Sequence, residues 1–115
     1  MKLRGVYCYC YWNELRTKIL FRITEPVSIA GHVVPRGFET DFASIPRALR
    51  WLIPTVGRYN LAALIHDYLY DNRIKSRQYA DRVFLYVMIK SGVTRVKAYT
   101  MYYAVRLFGT SHWNR

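Results

Sequence analysis

Three features of the chain predict an α+β domain with its strands first and its helices after. Alternating and hairpin-like apolar stretches are confined to the first third, the texture changes at Thr40, and the apolar-periodic segments beyond it end in helix-stop residues. The 115 residues suffice for one hydrophobic core and not for two. A single domain is therefore expected over 1–115, β-rich over 1–39, helical over 40–109 and with a loose tail over 110–115.

In the front third, Cys8 and Cys10 of YCYCYW stand two apart, so on a strand they share a face and a bridge between them would be strained. No further cysteine exists to complete a zinc site, and both are read as packed free thiols. Residues 15–23, LRTKILFRI, alternate well enough for a strand. Residues 27–34, VSIAGHVV, then form a short hairpin turning near Ala30 and Gly31, and Pro35 with Gly37 closes the β-rich part.

The segment TDFASIPRALRWLIP opens the helical part with a Thr, Asp and Ser cluster. Ser44 suits the N-cap and Pro46 the first turn of a short helix that ends before Pro54. From Tyr59 to about Asp71 the apolar period places Ala62, Ala63, His66, Leu69 and Tyr70 on one stripe. Residues 72–75 break this pattern, and Ser76 caps the next helix, in which Asp81, Phe84, Leu85 and Met88 share a face before the stop at Ser91 and Gly92. A last helix, about Thr94 to Phe108, is expected to pack Val96, Tyr99, Tyr103 and Leu107 and to end at Gly109. The architecture is thus a β-rich third followed by three or four packed helices, two of which form an antiparallel hairpin.

Eighteen Lys+Arg against seven Asp+Glu leave a formal charge of +11, which favours anionic partners: nucleic acid, an acidic lipid surface or an acidic protein. The basic residues are dispersed, with no RNP-like aromatic motif or zinc-finger spacing, so nucleic-acid reading is possible but not signalled. Eleven tyrosines and three tryptophans suit a small core or a surface whose rings keep one polar end wet. The start MKLRGVYCYCYW has no signal-peptide apolar run or cleavage site, and no stretch reaches the roughly 18 apolar residues of a membrane span. The chain is expected to be soluble where it is made, and export would need another route, such as lysis or packaging in a particle.

The helix hairpin carries the candidate chemistry. If it turns near residue 74, His66 and Asp81 both lie about 11 Å from the turn, at the same height and on the facing stripes. A carboxylate opposite an imidazole fixes the ring's tautomer and stabilises its protonated form, as a general base requires. The same pairing also serves a buried His-Asp pair that only satisfies its hydrogen bonds. Tyr70, one turn after His66, is within reach of Asp81. Asp67, about 100° around the helix, and Asp41 from the preceding loop could together hold a hard cation such as Ca²⁺. Otherwise Asp41 caps the short helix or stabilises a turn, and Asp67 is solvated or paired with Arg73 or Arg77. Ser44 lacks a nucleophile elbow or oxyanion motif, which favours its capping role over a nucleophilic one.

The motifs T-D-x-x-S-I-P, H-D-x-x-Y and A-D-x-x-F, in the order VPRGFETDFASIPRALRWLIP, AALIHDYLYD, SRQYADRVFLYVMIKSGV and YAVRLFG, resemble a family of small phage and prophage proteins catalogued as domain of unknown function 1353, over roughly residues 25–109. A second resemblance is to secreted and bacterial phospholipase A(2): His66-Asp67 with Tyr70 on one helix and Asp81 with Phe84 on the next are similar to its helix pair, and residues 40–46 to the bacterial D-G-C-S-x-P calcium segment. That resemblance implies His66 as general base, Asp81 as its orienter, Tyr70 as supporting hydroxyl, and Asp41 and Asp67 as calcium ligands. The chain departs from it in lacking the glycine-rich calcium loop and the helix-linking disulfides, and Phe42 stands in place of a glycine.

The resulting expectation is a small phage-encoded protein of the bacterial host cytoplasm during infection, or of the virion, acting as a calcium-dependent hydrolase of lipid or envelope esters. The alternative is a non-enzymatic phage accessory protein, either a virion or tail component or an inhibitor of a host protein, that keeps the His/Asp cluster as a structural core.

Overall fold

The computed structural model describes residues 2–3, 6–12, 14, 19–40 and 60–114. Strands β1 (Lys2–Leu3), β2 (Val6–Trp12), β3 (Ile19–Ile23) and β6 (Glu39–Thr40) form an antiparallel sheet in the order β1-β2-β3-β6, and β4 (Val27–Ile29) pairs with β5 (His32–Val34) as a separate hairpin. Helices α1 (Asn60–Asp71), α2 (Arg77–Lys90), α3 (Arg95–Phe108) and the single-turn α4 (Thr110–Trp113) follow. This is the α+β order that the apolar patterning predicts. The short helix expected between Ser44 and Pro54 lies outside the described residues, as do Asp41, Phe42 and residues 15–18 of the expected strand.

The β4–β5 hairpin turns where expected. Ala30 and Gly31 both have positive φ, 50° and 82°, which matches the right-handed twist of the strands they join. Alternation along the two strands then buries Ile29 and Val34, which join Cys8 and Ile23 in the core against the helices. Cys10 is exposed rather than packed. It shares a face with Cys8 but lies further along β2, opposite the half-buried Phe21 rather than Ile23.

Helix α1 is buried almost all round. Ala62 to Asp67, Leu69 and Tyr70 are all inaccessible, as expected of an element with neighbours on several sides. Its partner α2 starts at Ser76, whose hydroxyl accepts a hydrogen bond from the Tyr79 amide at 3.0 Å, a cap worth about 1 kcal/mol. The helix ends at Ser91, and Gly92 turns the chain away at φ 94°.

The C-terminal helices differ from expectation in two respects. On α3 the residues expected to pack, Val96, Tyr99, Tyr103 and Leu107, face outward, while Ala98, Met101 and Val105 are buried. Both sets recur at helical spacing, so the period alone does not choose between the two faces. The tail, expected to be loose, instead folds into α4, where Trp113 packs edge-on against Tyr70 with ring centroids 5.2 Å apart and its carbonyl accepts from Arg73 Nε at 2.9 Å. Among the described residues no helix is long and apolar enough to cross a membrane.

Candidate functional site

The matching heights of His66 and Asp81 become a direct contact across the α1–α2 seam. Nε2 of His66 lies 2.7 Å from Oδ1 of Asp81, and the Tyr70 hydroxyl donates to that same oxygen at 2.7 Å. The His66 ring is held between Tyr70 and Phe84, with centroid distances of 4.3 and 4.6 Å. Hydrogen bond and ring contacts together leave the imidazole little rotational freedom. His66 and Asp81 are both completely buried.

The other Asp81 oxygen serves two arginines. Arg106 Nη1 on α3 donates to Oδ2 at 2.9 Å, and Arg77 Nη1, one helical turn before Asp81, stands 3.6 Å from it. Arg77 also donates to the carbonyls of Val105 and Arg106, at 3.2 and 3.1 Å, and so satisfies acceptors of the last turn of α3. One carboxylate therefore ties three helices together. Burial by itself would raise the pKa of Asp81, but the hydrogen bonds from His66 and Tyr70, the charge of His66 and the Arg106 hydrogen bond outweigh it and lower the pKa below its ordinary value. Asp81 is thus an anion and an acceptor. Burial and then the neighbouring Asp81 push the Tyr70 hydroxyl well above the usual phenol range, so it remains a donor.

The contact with Asp81 sets the tautomer of the ring. With Nε2–H pointed at an ionised carboxylate, the neutral tautomer carries its basic lone pair on Nδ1, and a proton accepted there would be stabilised by Asp81. On the next α1 position, Asp67 is also buried, and its Oδ2 accepts from the Thr40 hydroxyl. Thr40 is delivered by β6, where it pairs with Phe21 of β3. Asp67 is therefore buried on the Thr40 hydroxyl rather than solvated. Its carboxylate and the Thr40 hydroxyl are hard oxygen donors of the kind Ca²⁺ selects. Among the described residues no three His, Cys, Asp or Glu side chains converge as a metal site, and Asp41 is outside them.

Of the sequence candidates, the structure brings together His66, Asp81 and Tyr70, with Asp67 beside them. Arg106, Thr40 and Trp113 were not anticipated. Arg77 had a readable signal, its spacing of four residues before Asp81. Arg106 had none, because it reaches Asp81 from a helix whose rotation the period does not fix.

The cluster is carried by an α+β scaffold with a helix hairpin. A family model described as "Protein of unknown function (DUF1353)" matches residues 19–105. The chain belongs to that family. It is 38% identical over 78 residues to "Uncharacterized protein y4jT" of Sinorhizobium fredii (strain NBRC 101917 / NGR234), a match covering 66% of this chain and 23% of the relative. It is also 38% identical over 73 residues to "Uncharacterized protein y4iH" of the same strain, covering 62% of this chain and 30% of the relative. The chain thus spans less than a third of the length of these curated relatives. No solved structure matches it.

Proposed function

We propose that the His66–Asp81 pair is the general-base dyad of a calcium-dependent hydrolase of lipid or envelope esters, carried by a small phage-encoded protein that works in the bacterial host cytoplasm or with the virion. The observation that carries this reading is the grip on Asp81: one oxygen shared by His66 and Tyr70, the other held by Arg106. In this reading Nδ1 of His66 removes a proton from water as the oxygen attacks the ester carbonyl. Asp81 stabilises the imidazolium, and the proton then passes to the departing alkoxide. Tyr70 keeps the carboxylate oriented. Asp67 and Asp41 would hold the cation, and Ca²⁺, when bound, supplies charge to polarise the carbonyl.

A second reading rests on burial. His66 and Asp81 are fully inaccessible and Asp67 is only 1% exposed, which suits a structural polar core in a non-enzymatic virion, tail or host-binding protein. One set of measurements separates the two: Ca²⁺ binding by calorimetry and fatty-acid release from phospholipid vesicles, for wild type, His66→Ala and His66→Gln, with folding followed by circular dichroism. The hydrolase reading expects a folded His66→Gln with activity reduced by at least about 100-fold. It fails if wild type releases no more product than the variant. Unfolding of both variants at neutral pH would favour the structural core.

A further inference from the structure

The outward edge of α2 and the turn before it carry a ladder that the His/Asp site does not use. Lys75, Tyr79, Arg82, Tyr86 and Lys90 alternate cation, ring, cation, ring, cation at spacings of three or four residues, so they share one edge in steps of about 5–6 Å. The contacts bear out the alternation. Lys75 Nζ lies 4.6 Å from the Tyr79 ring centroid and Lys90 Nζ lies 5.7 Å from that of Tyr86. Tyr86 is 54% exposed, and all three cations are exposed as well.

The middle of the ladder, Tyr79, Arg82 and Tyr86, lines an open groove, with Lys75 and Lys90 beyond it along the same edge. Tyr79, Arg82, Val83 and Tyr86 form one side and the Ala30–Gly31 turn the other, around a cavity of about 590 Å³. The ring of Tyr79 is fixed from across the groove, because its hydroxyl lies 2.6 Å from His32 Nε2 on β5. Lys75 is held at φ 59°, a left-handed conformation that a side-chain-bearing residue adopts at a cost. Yet this residue presents its ammonium over Tyr79. Among the described residues no carboxylate lines the groove, and the chain from Arg82 to its end contains no Asp or Glu at all.

We infer that this groove binds a single-stranded polynucleotide. Phosphates would pair with Lys75, Arg82 and Lys90 while bases stack on Tyr86 and Tyr79, the combination by which single strands are held without sequence readout. An acidic peptide would use the cations and leave the rings idle. A bilayer would need a projecting apolar surface, whereas Tyr79 and Tyr86 line an open groove and alternate with cations.

The test is fluorescence anisotropy of a labelled oligothymidylate with the full chain across a salt series. Three phosphate contacts give a slope of log K against log salt of about −2, and Arg82→Gln should make it shallower by about 0.7. Tyr86→Ala, at an exposed position, should weaken binding roughly tenfold or more with the fold unchanged. Lys97→Gln on α3, which removes the same charge elsewhere, should leave affinity within about twofold of wild type. The proposal is overturned if no binding occurs at low salt, if Tyr86→Ala binds like wild type, or if Lys97→Gln weakens binding as much as Arg82→Gln. It is equally overturned if anionic vesicles, poly-glutamate or duplex DNA bind more tightly than the oligothymidylate and lose as much on Tyr86→Ala.

Discussion

Asp81 sets the charge balance of the candidate site, and its behaviour in acid follows from its partners. Its pKa is lowered from the ordinary value of 3.8, burial being outweighed by His66, Tyr70 and Arg106. Near and just below that value the unfolded chain therefore binds the proton more readily than the folded one. The stabilisation is fully present above the unfolded pKa and is lost as the pH falls through the depressed folded value. Urea unfolding at a series of pH values should show wild-type stability declining from about pH 4 downward. Asp81→Asn should be less stable by about 2 kcal/mol at neutral pH, since it leaves His66 and two guanidiniums without their anion, and its curve should be flatter in the acid window. Parallel curves would remove Asp81 as the titrating group. At this scale the chain was partly legible. His66, Tyr70 and Asp81 follow from helical period and distance to the turn, but the Thr40 hydroxyl on Asp67 depends on how β6 meets α1.

At the scale of elements, the α1–α2 hairpin is locally encoded by the Ser76 cap, the break at residues 72–75 and matched stripes. The last two helices are not. α3 has one stripe of Val96, Tyr99, Tyr103 and Leu107 and another of Ala98, Met101 and Val105, and size alone does not reveal which is buried. The junction of α3 and α4 depends on Gly109, where a Cβ would lie 2.6 Å from both the Tyr70 hydroxyl and the Val105 carbonyl oxygen. Gly109→Ala must displace the ring that reaches Asp81. Thermal melts should show it destabilised by about 1–3 kcal/mol, with the Tyr70 fluorescence environment changed. A melting temperature equal to wild type would mean that the junction relaxes without cost.

For the whole molecule, a charge of +11 on 115 residues means that self-repulsion opposes compaction. Added salt should screen it, because the Debye length falls from about 30 Å at 0.01 M to about 3 Å at 1 M. The buried contacts to Asp81 are screened much less. The melting temperature should therefore rise by a few degrees between low and high sodium chloride, and a fall would show that exposed ion pairs such as Arg22–Glu39, at 2.9 Å, outweigh the repulsion. By itself the sequence determined the order of strands and helices, the hairpin at Ala30–Gly31, the cap at Ser76 and the meeting of His66 with Asp81. These depend on φ preferences, capping groups and periods that act within a turn or between elements joined by a short loop. Only the tertiary structure decided which face of α3 is buried, that Arg106 completes the Asp81 network and that Trp113 closes over Tyr70. Those contacts depend on the rotation and docking of helices distant in sequence, which a period compatible with two faces leaves open.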